Sequence, residues 1–85
     1  MSKEEIRREL KILRSRKVRA RDKEALKSKY TDAIALLPPF EAHIMREYYL
    51  EHRTHEQIAA EIFYSTDTVR RILKRGISML MTKVK

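Results

Sequence analysis

The residues best suited to chemistry lie late in this 85-residue chain, in the stretch STDTVRRILKR. Ser65, Thr66, Asp67, Thr68, Arg70, Arg71, Lys74 and Arg75 are its polar members, and Val69, Ile72 and Leu73 its apolar ones. Arginine can bond guanine O6 and N7 through two parallel donors, aspartate can accept from cytosine N4, and threonine can meet a thymine methyl or a phosphate. Ser65 and Thr66 stand where the spacing predicts a helix to begin, and free amides there suit a backbone phosphate. An ordinary core helix with a charged outer face has the same periodicity, so the flanking elements must decide between the two.

Other reactive groups point nowhere specific. His52 and His55 lie between Glu51 and Glu56, but the order is H-x-x-H-E rather than the H-E-x-x-H of zinc proteases, and the pair straddles a helix start. Solvated loop histidines and no metal site are expected. Tyr48, Tyr49 and Tyr64 could stack on single-stranded bases, although packing accounts for them more simply. A single glycine, Gly76, excludes phosphate loops, dinucleotide fingerprints and nucleophile elbows, and no nucleophile–base arrangement is visible. The expectation is a non-enzyme without a cofactor. With no cysteine and no apolar run near 18 residues, the composition predicts a soluble, cytoplasmic protein.

The elements around the polar stretch follow from caps and periodicity. Thr54 and Gln57 form a T-x-x-Q capping box opening a helix over about 55–62 that buries Ile58, Ala59 and Ile62. Ser65 caps the next helix, about 66–80, which continues its apolar stripe with Ile77 and Leu80. Two short helices, a three-residue turn and a small Ala59 at the closest approach describe a helix-turn-helix, whose second helix offers its first turn to the major groove. Upstream, Pro38 stops one helix and Pro39 starts another, expected over about 39–51 with Phe40, Ile44, Met45 and Tyr48 inside and Glu41, Glu47 and Glu51 outside.

Residues 1–36 read as a basic helical segment, and 37–85 as the helix-turn-helix domain of an all-α protein. Ser2 and Glu5 form a first capping box before Ile6, Leu10 and Leu13. Leu26, Tyr30, Ala33 and Leu37 make a second apolar set on a different phase, so the helix is expected to break near Asp22, a possible new N-cap. Charge follows the same division. Residues 1–30 carry 12 Lys+Arg against 5 Asp+Glu, residues 31–69 carry 2 against 7, and residues 70–85 carry 6 against none, which together give +8. Basic ends around an acidic middle suit a polyanion, with Lys17, Arg19, Arg21 and Lys23 as phosphate contacts.

The stretch from LPPFEAHIMREYY through T-x-x-Q-I-A to S-x-x-T-V-R-R-I-L resembles region four of bacterial sigma factors and the short phage or mobile-element regulators that share it, over residues 37–80. The resemblance implies that Thr66, Asp67, Arg70 and Arg71 meet bases or phosphates of double-stranded DNA, with Lys74 nearer the backbone, in a bacterial or phage-infected cell at the nucleoid. It departs at Phe63, where the family usually has glycine, and in the absence of region two, so a complete sigma factor is not expected. Two readings remain. One is a sequence-specific DNA-binding transcription regulator. The other is an adaptor docking on RNA polymerase or a sigma factor through Glu41, Glu47 and Glu51. A homodimer is expected because one recognition helix reads few base pairs, with Ile6, Leu10 and Leu13 either joining two copies or folding back on their own core.

Overall fold

The computed structural model describes residues 2–84, and every described regular element is helical. The order is α1 (Lys3–Arg14), α2 (Ala20–Ala35), α3 (Pro39–Met45) with a π-helical continuation (Arg46–Leu50), α4 (His55–Ile62) and α5 (Thr66–Leu80). Helix α1 starts where the Ser2 hydroxyl accepts the Glu5 N–H. Its apolar side chains Ile6, Leu10 and Leu13 are buried in one cluster with Tyr30, Ile34, Ile44, Met45, Ile58, Val69 and Leu80. Of the two expected roles for these three side chains, the structure shows the fold back onto the chain's own core, so they do not form the surface of a dimer.

Two basic residues close the N-terminal hairpin from within. Helix α1 ends at Arg14, and α2 begins one residue after Arg19, its N-cap. Asp22 is therefore not the cap but a first-turn residue, where its negative charge favours the helix start. Arg14 lies four residues after Leu10, on the buried side of α1. Its guanidinium covers the Tyr48 ring at 3.7 Å and donates to the carbonyls of Tyr48 (2.5 Å) and Arg53 (3.0 Å). Those carbonyls need an outside donor because the chain widens there: Glu51 N–H reaches back five residues to Arg46, the bonding of a π-helix. Lys23 Nζ likewise donates to the carbonyls of Leu13 and Ser15, satisfying the end of α1.

The helix-turn-helix forms as its caps dictate. Thr54 and Gln57 complete a reciprocal capping box, and Ser65 accepts the Thr68 N–H at 3.2 Å. Ile58 and Ala59 of α4 meet Val69, Ile72 and Leu73 of α5 in the core, while Ile62 is only partly buried. Phe40 departs from expectation: it is 40% exposed and packs against Tyr64 at 5.7 Å between ring centroids, leaving Ala42, Ile44 and Met45 as the buried face of α3. Ile34 and Val84 join the core without having been foreseen.

The fold accounts for Gly76 and exposes a cost at Phe63. Gly76 is buried where α5 crosses α3, and an added Cβ would lie 2.6 Å from Met45 Sδ. It is a contact glycine. Phe63 keeps the geometry that glycine would take, with φ 60° and ψ 38°, and its side chain is 94% exposed. A left-handed aromatic residue costs about 1 kcal/mol, and no core contact offsets it here.

Candidate nucleic-acid interface

Helix α5 is divided lengthwise by its own pattern. At about 100° per residue, Asp67, Arg71, Lys74 and Ser78 fall opposite the buried stripe of Val69, Ile72, Leu73, Gly76, Ile77 and Leu80. Thr66 and Arg70 flank that outer face on one side, Thr68 and Arg75 on the other. Arg70, Arg71, Lys74 and Arg75 are all exposed. Arg70 and Asp67 approach each other at 3.7 Å, a loose pair that water screens and that a base edge could replace.

The first turn of α5 is organised by Ser65. Its hydroxyl takes the Thr68 N–H and also bonds the Thr68 hydroxyl at 3.0 Å. Ser65 and Thr68 are thereby committed to each other, and the amides left open for an anion are those of Thr66 and Asp67. Arg71 and Arg75 border a groove of about 460 Å³ shared with Thr68, Ile72, Phe40 and Glu41. Glu41 thus lies beside the arginines of α5 rather than on a separate acidic surface.

On the opposite flank, His55 opens α4 and stacks on Tyr48 at 4.6 Å between ring centroids. Partial burial and the Arg70 cation push its imidazole below the ordinary value of 6.5, with Arg14 adding to this and Glu56 opposing it. Arg14, Tyr48 and His55 thus stack in turn from the N-terminal hairpin to the start of α4, with the Arg70 cation of α5 near enough to act on the imidazole. His52 is used differently, its Nδ1 lying 3.2 Å from the Arg14 carbonyl.

The remaining expected contacts divide in the same way. Lys17, Arg19 and Arg21 are exposed, in the α1–α2 connection and the first turn of α2. Lys23 does not join them, because its ammonium caps α1. Glu51 is exposed, but Glu47 pairs with Arg53 at 3.7 Å and keeps only 19% of its side chain in solvent. The expected acidic row is thus broken at its middle residue. Glu47, Glu61 and His43 bring one ligand atom each within 4.8 Å of one another, and Arg53 already lies 2.7 Å from Glu61 as their counter-charge.

Comparison with known protein families agrees with a helix-turn-helix fold. Residues 33–80 match the family described as sigma-70, region 4. The chain belongs to that family. Its region 4 match covers more than half of the chain and begins inside α2, so α1 and its Arg14 staple precede the matched span. No curated protein and no solved structure gives a significant match. Region 4 is a DNA-binding helix-turn-helix of sigma factors and regulators, and DNA binding in transcription regulation is the general activity here. No described helix is long and apolar enough to cross a membrane.

Proposed function

We propose that this region 4 protein is a sequence-specific transcription regulator that lays α5 in the major groove of double-stranded DNA. The observation that carries the reading is the outer face of α5: four exposed cations, Arg70, Arg71, Lys74 and Arg75, on a helix whose other face is locked into the core. Arg70 and Arg71 recognise guanine edges, Asp67 accepts from a cytosine amine, and Thr66 meets a thymine methyl or a phosphate. The amides of Thr66 and Asp67 hold one phosphate, Lys74 and Arg75 others along the groove. Exposed Lys17, Arg19 and Arg21 neutralise flanking phosphates.

The test is a selection of bound duplexes from a random pool followed by anisotropy titration. A defined motif is expected, and Arg71→Ala should weaken it by about 1–3 kcal/mol and relax preference at one position. Replacing Lys17, Arg19 and Arg21 together by alanine should weaken selected and random duplexes alike and flatten the salt dependence. A pool that yields no motif, or an Arg70→Ala, Arg71→Ala double variant with unchanged affinity, would refute direct readout.

A further inference from the structure

Phe63 combines two unfavourable features: a left-handed backbone, held by the α4 cap in which the Phe63 and Tyr64 N–H groups both reach the Ala59 carbonyl, and an exposed ring that packs on no described residue. Its backbone is left-handed, at φ 60°, in the region that side chains normally avoid. Its ring is 94% exposed, more than any other large apolar side chain of the described residues. Tyr64, the next residue, turns to Phe40 on α3, whereas Phe63 makes no ring contact among the described residues. Backbone strain of this kind persists where the surroundings fix it, and it concentrates at functional sites. A glycine or asparagine would hold the same turn without the strain.

The position of the ring says what it can meet. Phe63 is two peptide steps before Ser65, the cap of α5, and so within about 8 Å of it along the backbone. In a helix-turn-helix the first turn of the second helix meets base edges in the major groove, and Phe63 stands just before that turn in the chain. The apolar group displayed there is the thymine C5-methyl, which phenylalanine can cover. We infer that Phe63 is a base-reading residue that covers a thymine methyl beside the bases met by α5. This rests on the proposed docking of α5 and adds to it an apolar contact independent of charge.

Phe63→Gly keeps the left-handed turn and removes only the ring, so loss of fold does not confuse the result. Its melting temperature should equal or exceed that of the parent. Against the duplex selected by the parent protein, its affinity should fall about three- to tenfold, the fold-change for one buried methyl and part of a ring. The slope of log affinity against log salt should not change, since no phosphate contact is lost. Replacing one thymine of the site by deoxyuridine, which lacks the methyl, should weaken the parent by a similar factor and leave Phe63→Gly unaffected. Parent-like affinity in Phe63→Gly overturns the inference, as does a loss to which every deoxyuridine replacement adds in full. So does a flattened salt slope. If Arg71→Ala is also without effect the docking of α5 itself fails; if Arg71→Ala weakens binding and Phe63→Gly does not, only the role of Phe63 is lost.

Discussion

Replacing Gly76 by alanine sets two effects of opposite sign against each other. In an isolated helix, alanine is favoured over glycine by about 1 kcal/mol. In this fold the new Cβ would lie 2.6 Å from Met45 Sδ, 2.9 Å from its Cγ and 3.2 Å from its Cε. Carbon atoms in ordinary contact sit about 3.5–4.0 Å apart, so Met45 must withdraw by about 1 Å. Met45 is fully buried and has little room to do so in a close-packed interior. Overpacking of this kind costs about 1–3 kcal/mol, which outweighs the propensity gain. Gly76→Ala should therefore destabilise the protein by about 1 kcal/mol, lowering the melting temperature by about 4–8 °C in a domain of this size. Calorimetry or urea unfolding measures it directly, and a double-mutant cycle isolates the cause. Met45→Ala costs about 2–5 kcal/mol by itself, but in that background the clash is gone and Gly76→Ala should stabilise. A stabilising Gly76→Ala in the parent, or a destabilising one beside Met45→Ala, would refute the account of Gly76 as a contact glycine.

Other consequences of the packing are equally open to measurement. Arg14→Met keeps the stem but leaves the carbonyls of Tyr48 and Arg53 without their donor; a loss of about 1–3 kcal/mol is expected in urea unfolding. Leu10→Ala should cost about 2–5 kcal/mol, and sedimentation should show no change in association, since Leu10 is fully buried within one chain. His55 adds a pH dependence. Its folded value is pushed below 6.5, so the unfolded chain gains a proton first as pH falls, and stability drops from about 6.5 down to the folded value. His55→Phe keeps a ring on Tyr48 and removes the titration. The melting temperature of the parent should thus fall relative to this variant between about pH 7.5 and about pH 5, and a constant difference would contradict it.

Much of the helix-turn-helix was legible because its signals are local. Thr54 with Gln57, Ser65, Pro39 and the stripe from Val69 to Leu80 act within one helical turn of themselves, and the structure places helix starts at each. The outer residues of α5 were legible for the same reason, since a buried stripe fixes what faces away from it. Arg14 was not singled out, although its spacing from Leu10 was a signal. In a run of nine basic residues among Lys3–Lys17 and Arg19–Arg21 nothing marks one cation as internal. Lys23 and Glu47 were misjudged for a related reason: charged residues look alike in sequence, and only the nearby carbonyls of α1 or the guanidinium of Arg53 decide which ones are taken up.

The sequence by itself determined the starts of α1, α3, α4 and α5 and the polar face of α5, because each depends on residues three or four apart along one backbone. The tertiary structure decided what depends on distant segments meeting. It turned Ile6, Leu10 and Leu13 inward onto the core instead of toward a second copy. It made Gly76 a point of contact with Met45, and it joined Arg14 to a widened turn more than 30 residues away. It also left Phe63 strained and in solvent just before α5. The physical reason is the same in each case: a side chain's chemistry is local, but its burial and its partners are set by whichever part of the chain packs against it.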